Sequence, residues 1–439
     1  MVIMKYILSL LSGKNIKRQP KLPLISYFHF TTNQSMLQSN SFSGQPVFSQ
    51  IVGLVNKASF NHLVKEHDAD RYCKRCGAWE HFICMLYCIM NNCTSLREVT
   101  QGIAAYGDKL NHLGVTYTPP RSTFSEANAR RSEAFFGAVY GKLYKHYRDT
   151  LADSPMENEL LKRIFIIDST TISLFKAIMK CVGRKPLDGK SKGGIKVHTM
   201  LNAYEEVPQL IHFTDAATHD HTFLAKLDLK PYQIALFDRG YVDYKQYAKW
   251  TKDKTYFVTR LKDNAVYEQL EEIDITADIP DNYIKDQKIQ VKYKDAEGVE
   301  RVLVLRRVVY YDKDKDRIFQ FLTNIMEMTA EQIGLLYKMR WKIEMLFKQL
   351  KQNFPLKYFL GDNENAIKIQ IWCTLIANLL FTIIRKGIKK KISFGNLVSF
   401  ARQHLFSYHK LTDLIEKIEK DWRKKHADKA VTVLVLFDG

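Results

Sequence analysis

A change of hydrophobic pattern near Arg163 restricts most strongly what this chain can fold into. Up to that point apolar residues recur at helical spacing, and beyond it come apolar runs typical of strands, RIFIIDSTTISL, GGIKVHTMLNAY and PQLIHFTDA. Helical segments such as DYKQYAKWTKD then alternate with the strands YQIALFD and TYFVTRLK. Three adjacent strands followed by such alternation predict a mixed α/β sheet covered on both faces.

The 439 residues allow two or three domains. Residues 1–40 are polar and without periodicity, which predicts a disordered leader. We expect a helical domain over 41–155, a sheet domain over 156–362 with a β-rich insertion over about 265–326, and a helical C-terminal region over 363–439. The amphipathic stretch from Ala366 to Ile384 is a candidate dimer surface, and a buried core helix explains it at least as well.

The charge balance favours a polyanionic partner. Lys and Arg number 66 against 47 Asp and Glu, a formal net charge of +19, so nucleic acid is the first candidate and a membrane surface the weaker one. The apolar run from Trp372 to Ile384 is too short to span a bilayer, and the N-terminus lacks a secretory cleavage site, so no membrane partner is expected. Seven cysteines, an odd number, favour a reducing cytoplasm over a disulfide framework.

The segment YKMRWKIEMLFKQLK places one carboxylate among cations. As a single helix it brings Tyr337, Arg340, Glu344, Lys348 and Lys351 into one arc, separate from its apolar stripe. A solvated face with i, i+4 ion pairs explains the same pattern.

Two aspartates upstream favour a catalytic interpretation of that arc. Asp168 ends the apolar run IFIID and Asp238 ends YQIALFD, so both are expected at strand ends, where ligand crevices of α/β sheets form. Together with Glu344 they predict a site for Mg²⁺, or Mn²⁺ as a substitute, with two ions serving an in-line displacement at phosphorus. Each aspartate alone is explained equally by a turn or cap, and Asp220 is a reserve ligand.

These residues also carry a family resemblance. Tyr337, Arg340, Glu344 and Lys351 match the Y-x2-R-x3-E-x6-K signature, so the catalytic half resembles the insertion-sequence-4 family of bacterial DDE transposases. The resemblance implies a ribonuclease-H-like fold with a β-rich insertion before the last acid, and Asp168, Asp238 and Glu344 as catalytic metal ligands. The segments FSGQPVFSQIV, CTSLREV and RSTFSEANARR resemble the helical domain that precedes the catalytic domain in one branch of the family.

The resemblance further implies DNA-phosphate contacts for Tyr337, Arg340 and Lys351. Helical phase adds Lys348, which could instead pair with Glu344. Other basic candidates for DNA contacts are Arg239, beside Asp238, and the cations of TPPRSTFSEANARR, namely Arg121, Arg130 and Arg131. An ordinary surface helix explains the last three equally.

Two further patterns have a structural and a functional interpretation. Lys196 and His198 share one strand face by period-two spacing, and His198 is more simply a core histidine. Cys73, Cys76 and His81 offer a weak zinc pattern, whereas Cys84 and Cys88 recur at helical spacing as small buried hydrophobes do.

The expected function is cleavage at insertion-sequence ends and transfer of 3′-hydroxyl ends into target DNA, by a homodimer in a bacterial cytoplasm at the nucleoid. The alternatives are a metal-dependent nuclease of the same fold without strand transfer, and a catalytically silent DNA-binding protein.

Overall fold

The computed structural model describes residues 44–151, 159–173, 194–275, 279–313, 316–388 and 392–416. The predicted leader over 1–40, Cys181 and Asp188 lie outside these residues. The described chain divides into two compact units. A sheet unit holds the described residues from 159 to 347, and a helical unit holds those of 44–151 and 348–416.

The α-helices are α1 Val47–Val52, α2 Lys57–Glu66, α3 Ala78–Asn91, α4 Leu96–Ala104, α5 Gly107–Leu110, α6 Arg121–Arg130, α7 Glu133–Leu151, α8 Glu159–Lys162, α9 Tyr244–Lys252, α10 Ala330–Lys338, α11 Trp341–Asn353, α12 Glu364–Gly387 and α13 Phe394–Gln403. The strands are β1 Ile164–Ser173, β2 Gly194–Asn202, β3 Pro208–Asp215, β4 Ile234–Leu236, β5 Tyr256–Arg260, β6 Glu268–Glu272, β7 Tyr283–Lys294, β8 Glu300–Asp312 and β9 Arg317–Thr323. Short 3₁₀ helices cover Asn111–Leu113, Asp220–Lys226 and Arg239–Tyr241.

The strands form one mixed sheet in the order β3-β2-β1-β4-β5-β9-β8-β7-β6. Strands β1, β2 and β3 pair antiparallel, while β4 runs parallel to both β1 and β5. Aromatic and aliphatic side chains of the strands and of α9 form a buried core on this sheet, in which the rings of Tyr247 and Phe257 stack at 4.3 Å. The predicted mixed α/β sheet is therefore confirmed.

The strand-rich patch expected over about 265–326 consists of β6 to β9. Strand β9 pairs antiparallel with β5, so the patch extends the central sheet instead of forming a body of its own. Its outer strand β6, with the sequence EQLEE, is exposed along its length. Charged side chains on an edge strand oppose pairing with other chains.

A buried ion pair joins this extension to the segment that leads into α10. Arg306 donates from Nε to Asp286 Oδ1 at 2.8 Å, and both side chains are 3% exposed. The Nη1 group of Arg306 also donates to the carbonyls of Ile325 at 3.3 Å and Met326 at 3.1 Å. Helix α10 follows directly, with Thr329 and Gln332 forming a capping box at its start.

The helical unit contains both the N-terminal helices and the chain after residue 347. Helix α12 packs against α7 and α3, and its long apolar sequence is buried from Ala366 to Ile384 apart from Lys368 and Trp372. Length and composition would allow α12 to cross a membrane, but 83% of its most apolar window is buried inside the structure, as in the core helix of a soluble protein. The interpretation of this stretch as a dimer surface is therefore wrong, because the helix is already covered within its own unit.

The unit boundaries differ from the expected domains. The division falls inside α11, after Phe347, and not near residue 362. The regions expected as separate N- and C-terminal helical parts form a single unit, because α12 supplies the core against which α7 packs.

Candidate active site

Strand register brings Asp168 and Asp238 to the same level of the sheet. Ile166 pairs with Leu236 in the parallel β1–β4 ladder, and the two aspartates follow two residues further on in each chain segment. Asp238 follows β4 as predicted, and its side chain accepts from the Gly240 amide at 2.8 Å. Asp168, in contrast, lies inside β1, which continues to Ser173 because it stays paired with β2. The expected strand end at Asp168 is therefore wrong, although its parallel neighbour does end there.

Arg340 connects Asp168 to Glu344. Its Nη1 lies 3.4 Å from Asp168 Oδ2 and its Nη2 lies 2.6 Å from Glu344 Oε1. The Arg340 side chain is only 16% exposed, so this guanidinium is partly desolvated between the two carboxylates. Glu344 of α11 is thus connected to Asp168 of β1 through one shared guanidinium.

The segment that carries Arg340 is not one continuous helix. Helix α10 ends at Lys338 and α11 begins at Trp341, and the amides of Arg340, Lys342 and Ile343 bond to the third residue before each. Such a tightened turn changes the helical phase. Tyr337 faces inward, 8% exposed and with its ring centroid 5.0 Å from that of Phe321. The Arg340 guanidinium lies 5.6 Å from the Tyr337 ring centroid and bonds to Glu344, so these three members of the expected arc stay together although the helix is interrupted. A contact of Tyr337 with DNA stays a prediction.

Asp168 is a largely buried carboxyl group with other acids nearby. Burial, together with the nearby carboxylates of Asp238 and Glu344, raises its pKa to about 7, against the opposing effects of the Ser169 amide and Arg340. The Ser169 amide donates to Asp168 Oδ1 at 2.8 Å. Three carboxylates therefore act on one another here, and a single guanidinium compensates them only in part.

A fourth carboxylate, Asp220, lies beside the three and has its own cation. Its Oδ1 accepts from the Ser169 hydroxyl at 2.8 Å and lies 3.1 Å from Lys196 Nζ. Lys196 also donates to the Thr218 carbonyl at 2.6 Å. His198 Nδ1 is 3.8 Å from the same carboxylate, but burial lowers the pKa of His198 to about 4, so the imidazole is neutral near pH 7. Asp220 therefore pairs with Lys196 as Asp168 and Glu344 pair with Arg340, and it stays a reserve ligand.

Gly240 separates Asp220 from Asp238. A Cβ atom at this position would stand 2.9 Å from Asp238 Oδ1 and 3.4 Å from Asp220 Oδ2. A side chain here would therefore push a carboxylate out of place.

The donor set fits a divalent ion in its chemistry. Oxygen-only carboxylate ligands suit Mg²⁺ or Mn²⁺, and a bound cation would lower the pKa of Asp168, which burial and, to a smaller extent, the neighbouring carboxylates raise. Within the described part of the chain, however, no three Asp, Glu, His or Cys side chains are arranged to hold an ion as they stand. Arg340 bonds one oxygen of Asp168 and one of Glu344, so an ion that took both of these oxygens would compete with its guanidinium.

The other predicted DNA contacts are dispersed. Arg239 pairs with Asp263 at 2.6 Å and Arg130 with Glu126 at 2.6 Å, both at partly exposed surfaces. Arg121 is exposed at the start of α6, and Lys348 and Lys351 are exposed on the second half of α11.

Arg131 is not available for DNA, which corrects its prediction. Its side chain is 2% exposed, and Nε donates to the Ala69 carbonyl at 2.8 Å. Nη1 lies 2.8 Å from His81 Nδ1, and Nη2 donates to the Cys76 carbonyl at 3.0 Å and to Cys73 Sγ at 3.1 Å. A guanidinium therefore lies among the residues that were considered for zinc. Cys84, Cys88 and Cys93 are buried, as their helical spacing indicated for the first two.

Comparison with known proteins identifies the family. The model of the transposase DDE domain matches residues 159–380, about half of the chain. The chain belongs to the DDE transposase family. A second model, of a domain of unknown function, matches residues 43–116.

Curated relatives of this transposase are transposases of insertion sequences. It is 29% identical to a putative transposase of Sinorhizobium fredii over 61% of this chain and 72% of the relative. It is 25% identical to the probable transposase for insertion sequence element IS5377 of Geobacillus stearothermophilus, over 66% and 75%. For the putative transposase of element IS4SA from Synechocystis the identity is 28% over 60% and 71%. These relatives confirm the resemblance to the insertion-sequence-4 family.

Among solved structures, the transposase is similar to piggyBac transposase in a synaptic complex with hairpin DNA. The TM-score is 0.41 at 12% identity, over 87% of this chain and 82% of that one. The family assignment depends on the domain match alone. As a DDE transposase, the protein is an enzyme that acts on DNA and uses divalent metal ions.

Sequence reasoning missed the position of Ser169 in the transposase site. Its amide contacts Asp168 and its hydroxyl contacts Asp220, so one residue connects both acids. A Ser directly after the candidate ligand Asp168 was the available signal. Spacing along the sequence could not show that its hydroxyl would reach Asp220.

Asp168→Asn is expected to stabilise the metal-free transposase at pH 8 by about 2 kcal/mol. Because the folded-state pKa of about 7 exceeds the ordinary 3.8, the cost of ionising Asp168 is absent below about pH 4 and complete above about pH 7. Urea unfolding of both proteins across this range in EDTA measures the difference. Equal stabilities at pH 8, or a difference that does not shrink towards pH 4, would contradict the assignment of the raised pKa.

Proposed function

We propose that this transposase cleaves DNA at the ends of its insertion sequence and joins the released 3′-hydroxyl ends to target DNA. The observation that carries the proposal is the grouping of three acids in the sheet unit: Arg340 bonds both Asp168 and Glu344, and Asp238 lies close enough to raise the pKa of Asp168. The three carboxylates would hold Mg²⁺, or Mn²⁺ as a substitute, at two positions. When bound, the ions supply Lewis acidity and neutralise charge on both sides of an in-line displacement at phosphorus.

The chain's own residues fix the carboxylates for this role. The Ser169 and Gly240 amides orient Asp168 and Asp238, and Lys196 compensates Asp220 so that it adds little free charge. Arg340 pairs with Asp168 and Glu344, and its forked donors would suit a DNA phosphate at the site.

The strand order supports a ribonuclease-H-like core for the sheet unit. Three antiparallel strands followed by two parallel ones, in the order β3-β2-β1-β4-β5, are the arrangement the family resemblance implies. We assign the catalytic role to this unit, with β6 to β9 as its β-rich insertion, and DNA recognition to the helices over 41–155. Two copies would act together on paired ends, in the cytoplasm at the nucleoid.

Product analysis separates this function from its two rivals. The full chain is incubated with Mg²⁺, a labelled duplex carrying the DNA that flanks the gene, and a supercoiled plasmid. Labelled DNA joined to the plasmid is expected, whereas cleavage without joining would indicate a nuclease of the same fold. Binding without any metal-dependent cleavage would indicate a silent DNA-binding protein.

Lys351→Ala is expected to weaken DNA binding and to lower the slope of log K against log salt by about 0.9, because each lost phosphate contact releases fewer counterions. Fluorescence anisotropy over a salt series measures this. Lys252→Ala, at an exposed lysine of the sheet unit, is the control and should leave the slope unchanged. An unchanged slope for Lys351→Ala would exclude Lys351 as a DNA contact. Alanine variants of Lys348, Arg121, Arg130 and Arg239 are judged in the same way, each by its own slope.

A further inference from the structure

An exposed basic loop follows α2 in the helical unit. We define it as Arg71 to Arg75, the sequence RYCKR, and all five residues are exposed. Tyr72 is 76% exposed and has a positive φ of 61°, in the left-handed region that non-glycine residues rarely adopt. The Arg71 guanidinium lies 5.0 Å from the Tyr72 ring centroid. Three cations and an aromatic ring are thus presented together to solvent.

The buried Arg131 fixes this loop from beneath. It donates to the carbonyls of Ala69 and Cys76, which flank the basic loop on either side. It also lies 3.2 Å from Asp70 Oδ1, and that same oxygen accepts from the Ala78 amide at the start of α3. Both ends of the loop are therefore bonded to one side chain.

His81 completes this support as a neutral base. Burial and the adjacent Arg131 hold the pKa of His81 well below its usual 6.5, so Nδ1 accepts from Arg131. Its Nε2 lies 3.3 Å from Asn128 Oδ1 and can donate to it. Among the described residues, Asp70 is the acid that pairs with Arg131, and it is 46% exposed, so burying this guanidinium costs free energy. The hydrogen bonds of Arg131 in return hold both ends of the loop.

An ordered cluster of cations is suited to a polyanion. Side chains and backbone already held in place lose less entropy on binding, and Lys and Arg contacts to phosphates position a protein on a duplex. We propose that the basic loop is a contact site for the phosphate backbone of duplex DNA. The proposal rests on the proposed function, and it assigns Arg71, Lys74 and Arg75 the role that the sequence had suggested for Arg131.

Two triple variants of the full chain test the loop. Arg71→Ala, Lys74→Ala and Arg75→Ala are combined in one, and Lys249→Ala, Lys252→Ala and Lys285→Ala, at exposed lysines of the sheet unit, in the other, so both lose three positive charges. Anisotropy with a labelled duplex should show a salt slope lower by about 2–3 for the first variant and little changed for the second. Equal changes in both would mean that only net charge matters, and would overturn the proposal.

Alkylation of Cys73 gives a test without any substitution. Cys73 is exposed within the basic loop, whereas Cys76, Cys84, Cys88, Cys93 and Cys373 are buried, so mass spectrometry can follow its reaction with a maleimide. Saturating duplex DNA should slow this reaction several-fold, and an unchanged rate under saturation would refute the loop contact. The Glu344→Gln variant should show the same protection although its cleavage is lost. Protection together with cleavage at the parental rate in this variant would count against the proposed function alone.

Discussion

Asp168→Asn, Asp238→Asn and Glu344→Gln are each expected to lower the rate of Mg²⁺-dependent DNA cleavage by about a thousand-fold or more. Each substitution removes one anionic oxygen donor, and a thousand-fold loss corresponds to about 4 kcal/mol of transition-state stabilisation. DNA binding should remain near that of the parent, since removing a carboxylate from a basic protein does not weaken its attraction to phosphates. Single-turnover cleavage of labelled duplex measures the rates.

Asp228→Asn is the matched control for these variants. Asp228 lies in the same unit, is 86% exposed and pairs only with the neighbouring Lys230 in the described structure, so its loss should leave cleavage unchanged. Cleavage at parental rates by Asp168→Asn and Glu344→Gln would exclude these acids from the chemistry.

Arg306→Ala is expected to lower the free energy of unfolding by about 3–5 kcal/mol, because it leaves the Asp286 carboxylate buried without its partner. It also frees the carbonyls of Ile325 and Met326, directly before the helix that leads to Arg340 and Glu344. Cleavage should therefore fall together with stability. Urea unfolding followed by circular dichroism measures the first effect.

Arg301→Ala provides the comparison for the buried pair. Arg301 lies on β8 and bonds Asp295, which directly follows β7, but its side chain is 55% exposed. The free energy of unfolding should therefore fall by no more than about 1 kcal/mol. A similar small loss for Arg306→Ala would show that its pair does not hold the segment before α10.

Local pattern predicted much of the sheet unit. Apolar runs located β1 to β5, and the strand-rich patch located β6 to β9, because buried strands need continuous or alternating hydrophobic residues. Asp168 and Asp238 were found because an apolar run ends at each of them. Glu344 was found because helical spacing places it among cations, apart from the apolar stripe. That Arg340 would bridge two of them required the fold.

The errors arose where tertiary contacts override local pattern. Asp168 lies inside β1 because pairing with β2 continues the strand beyond the apolar run. Tyr337 is buried because its ring packs on Phe321 of β9, at 5.0 Å between centroids. Arg131, one of several cations near α6, is buried by Ala69, Cys76 and His81, partners that are distant in sequence.

Anomalous X-ray diffraction from crystals of the full chain soaked in Mn²⁺ tests the central claim most directly. The account predicts a manganese peak in contact with the carboxylates of Asp168, Asp238 and Glu344, with the Arg340 guanidinium moved away from both of its present partners. A manganese ion bound elsewhere, with Arg340 still between Asp168 and Glu344, would contradict it.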